Sequence, residues 1–277
     1  MSADTAVALP HSKSSLRYLP GGVRGRETSA MAPEFPREEA FDEDYLYFYE
    51  ELLMPERTAT EVELIWKLLE LEPGLEVLDL ACGHGRIANP LAERGVRVTG
   101  LDATPLFLDL AREDAAERGV EVEYVEGDMR SLPWTERFDR VLCWFTSFGY
   151  FGDDENRQVL EEAYRALRRS GLLAVEMNNL LRLLQVYADE TVTERGDDKM
   201  IDRHRFDIQT NRSLDERTII RGGKQRTFEF SVRMFTPAEL RDWLLRAGFR
   251  EAVAHGDDGK LLTPEHEGRR MTVVGRK

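Results

Sequence analysis

The chain has 277 residues, 42% of them hydrophobic and 32% charged, with a formal net charge of −14; that length suits one sizeable domain with an appendage. The acidic balance argues against general nucleic-acid binding, which needs a basic face, and no apolar run approaches the ~20 residues of a membrane helix. The only two cysteines, Cys82 and Cys143, fall in expected core strands or at their ends, which fits reduced thiols in a cytoplasmic protein better than a disulfide framework, and the N-terminus lacks a signal-peptide apolar core.

Residues 1–40 carry Pro10, Pro20, Pro33, Pro36 and Gly21-Gly22 with no apolar period, and are expected to be a disordered tail. From Phe41 to residue 75 a helical lid is expected. Tyr45, Leu46, Phe48, Tyr49, Leu52 and Leu53 lie on helical spacings, Pro55 interrupts, and Glu61–Leu71 forms a second amphipathic helix that ends before Pro73-Gly74.

Residues 76–189 then alternate strand and helix. The expected strands are Val77–Ala81, Val96–Leu101, Val122–Val125, Phe138–Phe145 and Leu172–Met177. The expected helices are Arg86–Arg94, Pro105–Arg118 with Pro in its first turn and Gly119 as its stop, and Asn156–Arg168 stopped at Gly171. Strands and helices alternating at these lengths imply right-handed crossovers and a doubly wound, mostly parallel sheet of an α/β fold. After a short helix from Leu180, residues 190–235 switch to polar–apolar alternation with turn signals at Gly196, Asn211 and Gly222-Gly223. Three or four antiparallel strands forming a small β cap are expected there. Residues 236–277 return to the core: a helix from Pro237 capped by Thr236, then a C-terminal hairpin of Phe249–His255 and Met271–Gly275.

The first strand breaks into Gly83-His84-Gly85. Two glycines one residue apart allow a sharp turn and close approach of a ligand to bare backbone. Gly83, Gly85 and Ala88 also satisfy the relaxed dinucleotide fingerprint, so a nicotinamide-dependent oxidoreductase is one reading. Three acids sharpen the pattern. Asp79, Asp102 and Asp128 stand at or just beyond the C-terminal ends of three successive expected strands, where they would line one crevice.

Together these motifs resemble the class I, Rossmann-like S-adenosylmethionine-dependent methyltransferases. The resemblance covers residues 41–180 and 236–277 and implies a seven-stranded sheet. The β cap is similar in placement to that of some sugar and glycine N-methyltransferases. By this resemblance S-adenosyl-L-methionine is the expected cofactor. The Gly83–Gly85 backbone suits its methionyl part, and Asp79 its amine and sulfonium. Asp102 suits the ribose diol and Asp128 the adenine amino group, with Ala103 and Met129 as apolar walls. Ala81 and Trp144 join the expected cofactor contacts, Trp144 with a core-packing alternative. Tyr45, Tyr49 and Arg57 are candidates for closing over the cofactor, unless their helices simply pack against the sheet.

The acceptor is expected above the end of the fourth strand, against Phe148, Tyr150 and Phe151. Asn178, Asn179 and the cap would form the second wall. His204, the only cap histidine, is a candidate base and substrate contact, and Tyr150 is a second catalytic candidate. No metal site is expected. The acceptor implied is a small molecule, methylated on O or N and less readily on C, such as a specialised-metabolite intermediate or amino sugar. Neither nucleic acid nor membrane is an expected partner, and homodimerisation stays open. The alternatives are the oxidoreductase and a non-catalytic cofactor-binding protein. The first leaves Gly127-Asp128-Met129 and the C-terminal hairpin unexplained.

Overall fold

The computed structural model describes residues 35–277; the expectation of disorder for residues 1–34 lies outside them. Seven strands form the main sheet: β1 (Glu76–Leu80), β2 (Arg97–Asp102), β3 (Glu123–Glu126), β4 (Phe138–Cys143), β5 (Leu167–Asn178), β10 (Glu251–Gly256) and β11 (Arg270–Arg276). Their order is β10-β11-β5-β4-β1-β2-β3. β1 to β5 run parallel, and β11 pairs antiparallel with both β5 and β10. β1 and β4 read Val77, Leu78, Leu80 and Val141, Leu142, Cys143, nearly continuous apolar runs whose side chains are fully buried. That is how strands covered by helices on both faces read. The chain crosses one way from β1 to β2 and the other way to β4. A crevice therefore opens at the C-terminal ends of β1 and β4, where open α/β sheets bind ligands.

Three helices cover the sheet with their boundaries written locally. In α5 (Pro105–Arg118) proline occupies the first turn and Gly119 ends the helix with φ +68°. In α6 (Asp153–Ala166) three acids fill the first turn, and Glu155 accepts from the Gly152 amide, which favours the positive end of the helix dipole. In α8 (Pro237–Arg246) the Thr236 hydroxyl accepts from the Glu239 amide.

Four boundaries differ from expectation. Residues 35–40, expected in the tail, are structured: α1 (Arg37–Ala40) buries Ala40 in an apolar cluster that Phe35 packs against. α3 runs Pro55–Leu68, because a proline at the first helical position starts a helix rather than interrupting one. α4 spans only Ala88–Glu93, so Arg86 stands in the turn before it. α6 ends at Ala166, and β5 begins at once; Gly171, expected as a helix stop, lies inside β5, beside a shift in its pairing with Phe138 and Arg140 of β4.

Residues 190–233 form a separate antiparallel sheet of β6 (Glu190–Arg195), β7 (Asp198–Asp207), β8 (Arg212–Arg221) and β9 (Lys224–Arg233). One face presents Met200, Ile219 and Phe228 to Phe48 of α2 (Glu43–Tyr49). Farther along, Phe206, Phe230 and Val232 meet Leu180 and Leu183 of α7 (Leu180–Gln185) and Tyr150. The aromatic residues of this segment thus bury against the flanking helices and the β4 loop. Among the described residues no helix is long and apolar enough to cross a membrane, and no cluster of His, Cys, Asp or Glu could hold a metal.

Candidate active site

A cavity of about 810 Å³ lies at the crevice, within the range of roughly 300–1,000 Å³ usual for small-molecule sites. β1 supplies Asp79 and, just past its end, Ala81. β2 ends in Asp102, the β3 turn brings Gly127, Asp128 and Met129, and the β4 loop brings Trp144, Phe145, Ser147, Tyr150 and Phe151. Phe41, Tyr45 and Leu53 line it from the N-terminal helices.

The most unusual group here is Asp79. It is 2% exposed, and its Oδ2 is buried with no hydrogen-bond partner. Burial pushes its carboxyl up to about 8, opposed by the charge of Arg86 and reinforced by Asp102. A buried carboxylate oxygen without a partner is costly, and a cation beside it would remove the cost. Asp102 is handled differently. Its Oδ2 accepts from the Gly83 amide at 2.9 Å and its Oδ1 from the Thr104 amide at 2.8 Å. Burial raises its carboxyl, and these N–H groups oppose the shift. A carboxylate has about four lone-pair sites, so each oxygen keeps room for one hydroxyl. His84 is pushed down to about 4 by burial and by Arg86, and is neutral at pH 7.

Gly83 and Gly85 have separate reasons. Gly83, φ +55°, has no atom within 3.9 Å of the place a Cβ would take; it lines the cavity and donates its N–H to Asp102. Gly85, φ +79°, faces inward, where a Cβ would stand 2.4 Å from the Tyr124 hydroxyl and 3.0 Å from Ala111. It therefore serves the close packing of the turn against α5, the third role glycine plays in such turns.

Most sequence-derived cofactor candidates meet on this wall: Asp79, Ala81, Gly83, Asp102, Ala103, Asp128, Met129 and Trp144 all line the cavity. Asp128 is engaged by its neighbour Arg130, which donates Nη2 at 2.6 Å and Nε at 3.0 Å to Oδ2. That bond first of all holds the Asp128 carboxyl below its usual range. Tyr150 and Phe151 also line the cavity.

Gly85, Tyr49, Arg57, Phe148, Asn178, Asn179 and His204 are not among the lining residues. Tyr49 lies behind Tyr45, rings stacked at 4.4 Å. Arg57 pairs with Glu61 at 2.8 Å. Phe148 is 1% exposed and stacks on Phe235 in the core. Asn178 accepts from Arg270 at 2.7 Å, and Asn179 precedes α7, buried. His204 is held within the small sheet: Nδ1 meets Asp215 at 2.5 Å and Nε2 meets Thr191 at 2.9 Å.

Sequence reasoning missed Arg86 and Phe107, both of which line the cavity, whereas Tyr45, one of the three expected to close over the cofactor, lines it as well. Arg86 pairs with Glu61 at 2.7 Å, and Trp144 Nε1 donates to the same carboxylate at 3.3 Å. A charged residue directly after a glycine turn was the available signal. Phe107 carried none beyond ordinary helix spacing.

Residues 77–171 match the sequence profile of a methyltransferase domain family. The chain is a class I S-adenosylmethionine-dependent methyltransferase. A putative methyltransferase of Geobacillus sp. is 24% identical over 217 residues, covering 75% of this chain and 88% of that protein. The methyltransferase CcbJ of Streptomyces caelestis superimposes with a TM-score of 0.67 at 26% identity, over 80% of this chain and 90% of that one. An amino pentose methyltransferase of Micromonospora echinaspora, solved with S-adenosylmethionine bound, shares the fold. Its TM-score is 0.60 at 22% identity, over 86% of this methyltransferase and 98% of that chain. The cofactor of this methyltransferase is S-adenosylmethionine. The cavity fits it on independent grounds: a partnerless buried carboxylate for a cation, a strand-end carboxylate with free lone pairs for a diol, and apolar Met129, Ala103 and Phe107 for a flat ring.

Proposed function

We propose that this methyltransferase acts on an oxygen or nitrogen of a small molecule enclosed between the β4 loop and the N-terminal helices. The observation that carries this is the continuity of the cavity: one space runs from Asp79 and Asp102 to Phe145, Ser147 and Tyr150. When bound, S-adenosylmethionine supplies a methyl group on a cationic sulfur that leaves as a neutral thioether. Asp79 balances that cation, and Asp102 fixes the ribose. Gly83 and the turn after it set the methionyl end, with Arg86 beside it as a counter-charge for a carboxylate.

No acid is needed for the leaving group, so the protein's main work is alignment and exclusion of water. Tyr45, Phe41 and Tyr150 close the acceptor end with aromatic surface. Burial keeps Tyr45 and Tyr150 protonated far above neutral pH. Their hydroxyls therefore serve as neutral hydrogen-bonding groups. An acceptor amine or hydroxyl must reach the site with its lone pair free, and a base is required only where the acceptor is protonated at working pH. The amino pentose methyltransferase, which its structure's description places in calicheamicin biosynthesis, makes amino sugars and natural-product intermediates the first acceptor classes to try. The segments 41–75 and 190–235 act as lid and cap on the 76–189 core. The acidic chain and its two buried free cysteines suit a cytoplasmic enzyme of small metabolites rather than of nucleic acid.

The decisive experiment supplies methyl-labelled S-adenosylmethionine and a natural-product extract rich in amines and phenols, and reads labelled products by mass spectrometry. A labelled small molecule formed only with the protein supports the proposal. Label appearing only in added RNA or protein would overturn it.

A further inference from the structure

The β4 loop leaves the sheet through an unusual turn. Phe145 and Thr146, neither of them glycine, have φ +61° and +58°. Two successive side-chain-bearing residues in the left-handed region cost energy that the surroundings must supply. Thr146 Oγ1 is also buried with no partner, a second cost. Such a turn persists only where neighbouring structure determines it.

The neighbouring structure is a pair of strands. Glu176 of β5 accepts from the Phe145 amide on Oε2 at 2.7 Å, and its own carbonyl accepts from the Thr146 amide at 3.2 Å. Glu176 is 4% exposed. Its carboxylate is gripped through both oxygens by the Nε and Nη2 of Arg270 on β11, the bidentate geometry that fixes orientation as well as charge. The remaining Nη1 of Arg270 donates to Asn178 at 2.7 Å. The Arg270 guanidinium also lies 5.4 Å from the centre of the Phe145 ring, joined there by Arg57 and Arg86 at 5.1 Å each. Cations near the face of an aromatic ring hold it by its quadrupole. Backbone and ring of Phe145 are thus fixed by separate contacts, and Phe145 and Ser147 line the cavity.

We propose that Glu176 and Arg270 are positioning residues for methyl transfer: they hold Phe145 and Thr146 in the left-handed turn that sets the floor of the acceptor site. The inference rests on the reading of that end of the cavity as the acceptor's. Neither residue lines the cavity, and neither exchanges a proton with the reactants. Their effect passes through the turn.

The test compares Glu176→Ala, which removes the side-chain acceptor, with Glu176→Gln, which keeps one. Hydrogen exchange read by mass spectrometry should show faster exchange in the 143–150 peptide of Glu176→Ala, by about tenfold, with other core peptides unchanged. S-adenosylhomocysteine, titrated by calorimetry, should bind within about threefold of wild type, because the carboxylates and glycine turn assigned to it, Asp79, Gly83 and Asp102, lie on β1 and β2 and the turn between them, away from the Phe145-Thr146 turn. Label transferred from S-adenosylmethionine into the natural-product extract should fall about 100-fold, the scale of a misplaced reactant. Glu176→Gln should lie between. Adding Thr146→Gly to Glu176→Ala should restore much of the transfer, since glycine adopts the left-handed turn unaided. A purely structural role for Glu176 predicts no such rescue.

Unchanged exchange in the 143–150 peptide, or failure of Thr146→Gly to restore transfer, would overturn the proposal. If Glu176→Ala does not fold, Glu176→Gln carries the same measurements. An inactive wild type would count against the small-molecule reading. The exchange and binding measurements would then still decide whether Glu176 holds the turn.

Discussion

Arg217, on the inner face of the small sheet, donates a 2.9 Å hydrogen bond to the hydroxyl of Tyr49 on α2. The Tyr49 ring stacks at 4.4 Å on Tyr45, which lines the cavity. Arg217 is in turn held by Asp202, at 2.6 Å and 3.0 Å. Other bonds join the same two elements: Arg221 to Asp44 at 2.7 Å, Arg226 to Asp42 and Asp44 at 2.5 Å and 2.8 Å, and Tyr47 to Asp198 at 3.0 Å. α2 thus docks through one face on the small sheet and presents another to the cavity.

A first prediction follows for residues 190–233. From sequence, their removal should spare cofactor binding, because the expected cofactor contacts lie elsewhere. The docking of α2 changes that expectation. Replacing 190–233 by a Gly-Ser linker leaves Phe41 and Tyr45 without the surface that seats them. Affinity for S-adenosylhomocysteine should fall about tenfold, as the fraction of chains with α2 in place falls. Calorimetry on the linker variant checks this; wild-type affinity would separate α2 from the small sheet.

A second prediction concerns Asp79. Burial pushes its folded carboxyl up to about 8, against about 4 for a free aspartate. The folded state therefore holds more protons between those values. The stability tied to this group is complete below pH ~4 and is lost as pH rises toward 8. Asp79→Asn should raise the melting temperature of the ligand-free protein at pH 8 more than at pH 5. It should also weaken S-adenosylmethionine binding about 10–100-fold, the scale for a charged partner. In the wild type that affinity should climb with pH up to about 8 and then level off, because binding a cation requires the ionised carboxylate. A flat pH profile would remove Asp79 as the counter-charge.

A third prediction separates the two glycines. Gly85→Ala pushes a methyl group to 2.4 Å from the Tyr124 hydroxyl at φ +79° and should destabilise the fold by about 2–5 kcal/mol, overpacking and backbone angle together. Gly83→Ala meets nothing closer than 3.9 Å and should cost about 1–2 kcal/mol from its backbone angle alone. Its larger effect should be on cofactor affinity, because Gly83 lines the cavity. Urea unfolding with parallel calorimetry distinguishes the two, and equal losses of stability would contradict the packing role of Gly85.

Much of the sheet was legible because parallel strands buried on both faces leave apolar runs, and because Gly119 and Thr236 mark helix ends by local chemistry alone. Asp79 and Asp102 could be placed at the crevice since strand ends fix position. The β4 turn was not legible. Nothing in Phe145-Thr146 announces a left-handed backbone, which is imposed by Glu176 and Arg270 from other strands. Tyr45 and Tyr49 lie four residues apart and so share a helix face. Sequence spacing could not say which meets the cavity and which meets Arg217, a distinction made by tertiary packing.

The last prediction concerns His204. As the only histidine of the small sheet it invites the role of base, yet both ring nitrogens are engaged, by Asp215 at 2.5 Å and by Thr191 at 2.9 Å, and it does not line the cavity. Its hydrogen bond to Asp215 raises its pKa above 6.5, against the opposing effect of burial. A raised folded pKa means that the stabilisation is complete below the unfolded value of about 6.5 and is lost as pH rises through the folded one. His204→Gln should therefore lower the melting temperature more at pH 5.5 than at pH 9. Methyl transfer at pH 8 should stay within about threefold of wild type, whereas loss of a true general base costs about 10²–10⁴-fold. Measuring both on one preparation tells a sheet-bracing histidine from a catalytic one. A hundredfold fall in transfer with an unchanged melting temperature would restore His204 as the base and require the small sheet to open toward the acceptor during turnover.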